Sequence, residues 1–228
     1  MKVWTRAEWG ARPPRSTTWM ETPAAMAVIH HTVTTWPASP DQAAEQCRTI
    51  QGWHMDGNGW ADIGYSWLVG AGDIFEGRGW GVAQAAQQGY NNVAHSVAIL
   101  GDGTNQPAST ADLEAVAAII RSGMAFGAIA DVRILAHRDL NSTECCGDAV
   151  YNQLPRIREL VEGEPVTPTE QVVADLYRMW CLRQGDPEGI RYWANLLDTG
   201  GIDVQSLKLR MLADEGWARM VERTGGPA

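Results

Sequence analysis

The chain has 228 residues, 45% of them hydrophobic and 20% charged, with a formal net charge of −9. That size and balance fit one globular domain of ordinary size plus a smaller one, and exclude a disordered or fibrous chain. The acidic charge and the lack of any Lys/Arg cluster exclude nucleic acid as an expected partner, because such binding needs several phosphate contacts at once; no apolar run is long enough for membrane insertion.

In chain order, AMAVIHHT (26–33) is a short apolar run with β-branched residues, a buried strand that closes on two histidines. SPDQAAEQCRTIQGWHM (39–55) opens on Ser-Pro, a helix-start signal, and continues with helix formers. IGYSWLVG (63–70) and DIFEGR (73–78) form a hairpin across Ala71-Gly72. HSVAILGDG (95–103) is a further strand, and STADLEAVAAIIRSGMAFG (109–127) a helix between a Ser/Thr cap and a terminal glycine. DVRILAH (131–137) is a strand, and DAVYNQLPRIRELVEG (148–163) a helix that Pro155 either interrupts or starts. Strands and helices alternating in this way indicate a mixed α/β layer domain. EGEPVTPTE (162–170) has two prolines and no apolar periodicity, as a linker does. Beyond it, EQVVADLYRMWCLRQ, PEGIRYWANLLDTG and DVQSLKLRMLADEGWARMVER each carry apolar residues at helical spacing, giving a three-helix unit.

The four cysteines, Cys47, Cys145, Cys146 and Cys181, fit neither a disulfide framework nor paired metal knuckles. A reducing compartment, or a metal for one of them, is the simpler account. Of the five histidines, His30, His31 and His137 sit where strands end, and the adjacent thiols of Cys145 and Cys146 follow after a loop. Two strand-end imidazoles joined by one thiolate make a three-ligand site with a fourth position for water, the pattern of catalytic zinc. Spacing alone reads the same histidines more readily as hydrogen-bonded surface residues, and does not choose between the two cysteines.

TRAEWGARPP, VIHHT, WHMDGNGWADIGYSWLVGAGDIFEGRGW and AHRDLNSTECCGDAVY, in this order over roughly residues 3–160, resemble the zinc-dependent N-acetylmuramoyl-L-alanine amidases of the peptidoglycan-recognition-protein and bacteriophage-lysozyme-type family. The resemblance implies an α/β fold, a mixed central β-sheet flanked by helices with a zinc-containing groove, over residues 1–163; composition and periodicity place a linker at 164–169 and a small all-α module at 170–228. It implies Zn²⁺ held by His30, His137 and Cys145, with Cys146 standing where the family usually has proline. Tyr65 and Thr143 are then the catalytic hydroxyls, donors to the oxyanion formed when water adds to an amide carbonyl. His54, Arg78 and His31 are assigned to the substrate side, Arg78 toward a stem-peptide carboxylate. Family members often carry a histidine where this chain has Ala86, so one groove contact is missing or supplied differently.

The implied activity is hydrolysis of the amide between N-acetylmuramic acid and the L-alanine of the stem peptide. The alternatives are a peptidoglycan-binding protein without catalysis and a zinc peptidase cutting within the stem peptide. MKVWTRAEWGARPP lacks the features of a secretory leader. The expected setting is therefore a monomeric phage endolysin, made in the host cytoplasm and acting on the bacterial cell wall after holin-type release. LYRMWCLRQGDPEGIRYWANLLDTGG is similar to a small helical module appended to many secreted or cell-surface bacterial proteins, a candidate wall-targeting element.

Overall fold

In the computed structural model, which describes residues 1–130, 133–162, 169, 173 and 187–207, the run Met26–His31 is a strand with all six residues buried. In chain order the elements are β1 (Val3–Trp4), β2 (Met26–His31), α1 (Pro40–Gly52), β3 (Trp67–Gly70), β4 (Asp73–Glu76), β5 (Ala94–Ile99), α2 (Thr110–Ala125), β6 (Ile134–Ala136), α3 (Asp148–Tyr151), α4 (Leu154–Glu162) and α5 (Pro187–Asp198). The chain divides into two compact units, Met1–Glu162 and Gly163–Ala228.

The first unit holds a six-stranded sheet in the order β1-β4-β3-β5-β2-β6. Only the β3–β4 hairpin is antiparallel; the other neighbours run parallel. Its turn, Ala71-Gly72, has positive φ at both residues (53° and 77°), the twist that a two-residue hairpin needs. β2 and β5 are buried along their length because parallel strands are covered on both faces. On one face α1 contributes Ala43, Ala44, Cys47 and Ile50, packed with Leu68, Phe75 and Ala98. On the other, α2 and α4 contribute Leu113, Val116, Ile120 and Ile157, packed with Ile29, Val97 and Ile99. The result is a three-layer α/β/α unit.

Local chemistry sets the helix starts. Ser39 caps α1 by accepting from Gln42 N at 3.3 Å, with Pro40 in the first turn; Ser109 caps α2 by accepting from Asp112 N at 3.1 Å. Two expectations are corrected. The first helix ends at Gly52 and passes into a π-helical turn, Trp53–Gly57, which carries His54. The strand before His137 stops at Ala136, and His137 opens a 3₁₀ turn. The helix over 148–163 is interrupted as expected, with Pro155 in the first turn of its second piece, where a missing N–H costs nothing.

His95 in β5 is buried, its Nδ1 3.0 Å from Ser66 Oγ and its Nε2 accepting from Gly81 N at 3.4 Å. Burial lowers its pKa to about 4.

Of the second unit, α5 lies within the expected second helix, and Val173, Ala194, Ile202 and Leu207 form a small core. Most of the other two expected helices, and the linker apart from Thr169, lie outside the described residues. Among the described residues no helix is long and apolar enough to cross a membrane.

Candidate metal centre

Ile29 pairs with Ala136 across β2 and β6, so His30 and His137 emerge side by side at the carboxyl ends of neighbouring parallel strands. Ligands of open α/β sheets gather at that edge. Successive strand side chains point to opposite faces, so adjacent histidines cannot share a site. His30 takes the α1 face with Ala98, and His31 the opposite one. Cys145 arrives from the loop after the His137 turn and is pinned there, because its carbonyl accepts from Arg138 N at 2.9 Å.

One ligand atom from each of His30, His137 and Cys145 lies within 4.8 Å of the others. Cys145 Sγ is 3.6 Å from His30 Nδ1, and the two imidazole centroids are 4.6 Å apart. Tetrahedral zinc with ordinary Zn–N and Zn–S bonds spaces a nitrogen and a sulfur by about 3.5 Å. Two imidazoles and a thiolate at this separation fit zinc in both chemistry and spacing. Burial, and then the nearby His137, lower the pKa of His30 to about 3; burial also lowers that of His137. Both rings are thus held in the neutral, metal-binding form. Burial pushes the Cys145 thiol up to about 11, against the opposing pull of the His31 N–H and the Arg138 charge. A metal there must displace that proton.

The second cysteine faces elsewhere. Cys146 is 0% exposed and packed in the α2/α4 core with Val150, and burial beside Cys145 raises its thiol to about 12. The peptide between the two is cis.

Tyr65 stands beside the cluster, and His54 beside Tyr65. The Tyr65 ring is 5.5 Å from that of His30 and 5.6 Å from that of His54. Burial, and then the sulfur of Cys145, raise the Tyr65 pKa, so its phenol stays a proton donor. His54 Nδ1 accepts from Gly64 N at 2.9 Å and its ring packs on Trp60. Thr143 is exposed, and its Oγ1 accepts from Cys145 N at 3.3 Å, which orders the cysteine turn and leaves the hydroxyl proton free to donate.

Two residues expected on the substrate side are engaged differently. Arg78 donates through Nε to Ile63 O at 2.7 Å and through Nη1 to Ala83 O at 2.8 Å, so it ties two backbone segments together. His31 is buried behind the cluster, with Nδ1 accepting from Gly103 N at 3.0 Å and its own N–H directed at Cys145 Sγ at 3.5 Å. It anchors the loop beneath the cysteine turn. Two open grooves share Val33, Thr34 and Thr35 just beyond His31: one of about 520 Å³ reaches Gln46, Thr49 and Trp53, and one of about 440 Å³ reaches Trp36 and Asp102. Neither is lined by the three ligand residues.

Sequence reasoning missed two features. One is a brace in which Arg138 pairs with Asp148 at 2.6 Å and lies over the Tyr151 ring, whose hydroxyl donates to Asp139 at 3.0 Å. Its members all lie within the motif AHRDLNSTECCGDAVY, and the HRD and GDAVY segments signalled it. The other is Gln87, whose Oε1 is 3.0 Å from His30 Nε2 and which carried no signal beyond sitting next to the substituted Ala86.

Residues 20–148 match the family described as N-acetylmuramoyl-L-alanine amidase. The chain is 34% identical over 152 residues to peptidoglycan-recognition protein SC2 of Drosophila simulans, covering 66% of this chain and 83% of that protein. It is 38% identical over 160 residues to N-acetylmuramoyl-L-alanine amidase of Sus scrofa, covering 65% of this chain but only 26% of that longer protein. Among solved structures, wild-type Drosophila PGRP-LB superposes with a TM-score of 0.66 at 30% identity, over 68% of this chain and 93% of its own. Peptidoglycan recognition protein-LE, solved in complex with tracheal cytotoxin, a monomeric diaminopimelic acid-type peptidoglycan, gives 0.66 at 29%, over 68% and 92%.

Proposed function

The chain belongs to the N-acetylmuramoyl-L-alanine amidase family, and from that premise we propose that it is a zinc-dependent hydrolase of the amide bond between N-acetylmuramic acid and the L-alanine of the stem peptide. The observation that carries this is the convergence of His30, His137 and Cys145 within 4.8 Å, with Tyr65 beside His30. A non-catalytic binder has no need of a complete three-donor set with a protonated phenol next to it.

Zinc bound there would supply Lewis acidity toward the scissile carbonyl and acidify water for the attack. The chain's own residues do the rest. The two neutral imidazoles and the thiolate would hold the ion without cancelling all of its charge. The phenol of Tyr65, kept protonated by burial, donates to the oxygen on which negative charge develops, and the free hydroxyl proton of Thr143 is the second donor. His54 and Trp60 form the adjoining wall against which the sugar-peptide junction is oriented. The grooves beyond His31 would take the rest of the glycopeptide, in keeping with the peptidoglycan fragment bound by peptidoglycan recognition protein-LE. We further read the setting as wall degradation by a phage endolysin, which the pairing of an amidase unit with a second C-terminal unit supports.

Mass spectrometry of digested peptidoglycan, with metal analysis of the same preparation, tests the reading. The expected result is about one zinc per chain and release of intact stem peptides that begin with free L-alanine. Binding to wall without any product, or cleavage inside the stem peptide, overturns it.

A further inference from the structure

Gln87 is 1% exposed and lies in an irregular loop, Ala86–Asn91, with no helix or strand to dictate its presence. Its carboxamide oxygen stands 3.0 Å from His30 Nε2, while its amide nitrogen is buried with no hydrogen-bond partner. An orphaned buried donor is costly, so for packing alone an apolar side chain of similar shape is the better occupant. Something other than packing accounts for the glutamine.

The imidazole supplies the reason. A neutral histidine carries one ring proton, and the partner of one nitrogen decides what the other offers. An acceptor at Nε2 keeps the proton there and leaves the lone pair on Nδ1, which is the nitrogen 3.6 Å from Cys145 Sγ. The loop that carries Gln87 is itself fixed. Asn91 Oδ1 accepts from the backbone of Ala86 at 3.1 Å and of Gln87 at 3.0 Å. At its far side the Gln88 carbonyl accepts from Asn141 Nδ2 at 3.2 Å, and the Asn141 side chain adjoins His137. One short loop is thus tied to the surroundings of both imidazoles.

We propose that Gln87 is a positioning residue of the metal centre: its carboxamide oxygen holds the Nε2 proton of His30 and so presents Nδ1 to the metal. This rests on the zinc reading above. Outer partners of this kind orient metal-bound histidines and raise their basicity, and their loss typically weakens metal binding roughly 10–100-fold.

The test compares the full-length wild type with Gln87→Leu and Gln87→Glu. Zinc affinity is measured by chelator competition, melting temperature without metal, and the His30 tautomer by ¹⁵N NMR. Gln87→Leu is expected to bind zinc roughly 10–100-fold more weakly, to lose the strict Nε2–H tautomer, and to melt close to wild type when metal-free, because removal of the orphaned amide offsets the acceptor taken from His30. Gln87→Glu, which restores an acceptor, is expected to recover most of the affinity. Wild-type protein that binds no zinc overturns the amidase reading itself. Wild type that binds zinc while Gln87→Leu matches it in affinity and tautomer overturns the role of Gln87 alone. So does a metal-free Gln87→Leu variant that melts well below wild type with no recovery in Gln87→Glu, since the residue would then support the fold and not the ligand.

Discussion

Cys145 and Cys146 are neighbours in the chain but meet different surroundings, a candidate metal-ligand cluster for the first and the α2/α4 core for the second. Cys145→Ser is expected to lose its zinc and nearly all activity, because a neutral hydroxyl replaces a thiolate. Cys146→Ser should retain about one zinc per chain yet be less stable by about 1–3 kcal/mol, from a hydroxyl buried in an apolar site. Metal analysis of both variants decides it, and zinc kept without Cys145 but lost without Cys146 would refute the assignment. Tyr65→Phe should bind zinc normally and turn over roughly 10²–10³-fold more slowly if the phenol serves as an oxyanion donor. A steady-state comparison at saturating zinc checks this. The sequence motifs make His30, His137 and Cys145 legible as a set. Arg78 and His31 are harder. The partners of Arg78 are carbonyls of Ile63 and Ala83, which only the folded loops bring to it, while the orientation of His31 follows from strand alternation that motif matching ignores.

At the scale of elements, the cysteine turn is held by close backbone contact. Gly147 has φ of 80°, and a Cβ added there would run into the backbone of Gly103 and Thr104; a Cβ on Gly103 would strike the Cys146 carbonyl. Gly103 is also the residue that His31 anchors. Gly147→Ala should therefore destabilise by about 2–4 kcal/mol, left-handed strain and overlap acting together. It should also weaken zinc binding by displacing Cys145, two residues away. A urea midpoint and a chelator titration on the variant check both, and a Gly147→Ala protein with wild-type values would show that the contact gives way freely. Elements governed by local chemistry were legible to within a few residues: both long helices start at their serine caps, and the hairpin turns at Ala71-Gly72. The two-residue β1 was not, since it exists only by pairing with β4, nor were the π turn at Trp53 and the 3₁₀ turn at His137.

For the molecule as a whole, acid is the informative stress. His95 is neutral and buried in the fold, with a pKa near 4, and titrates near 6.5 once exposed. A lowered folded pKa means that the unfolded chain takes up the proton first. The contribution to stability is complete above about pH 6.5 and is lost as the pH falls toward 4, at a cost of up to roughly 3 kcal/mol. His54, lowered to about 4 by burial, acts in the same direction. His95→Gln should flatten the fall in urea midpoint between pH 6.5 and 4; an unchanged profile would place the acid sensitivity elsewhere. The first unit contains the entire six-stranded sheet and all three candidate ligand residues. A chain ending at residue 162 is therefore expected to fold and hold zinc, which circular dichroism and metal analysis will show. The α/β class was legible from the alternation of elements. The grooves beside β2 were not, because the walls of a groove are assembled from segments far apart in sequence.

The pairing of β2 with β6 has a consequence for how the centre fills and empties. His30 and His137 are spaced by a backbone ladder that forms in any case, so the entropy of gathering two of the three donors is spent when the sheet forms and not when the ion arrives. Zinc fingers, unfolded without metal, lie at the opposite extreme. Stripping zinc from this chain should leave its far-UV spectrum unchanged and abolish turnover reversibly. Added zinc should raise the melting temperature only by the mass-action gain of a bound ligand. On the proposed reading, metal supply would set the rate of wall cleavage without deciding whether the chain folds.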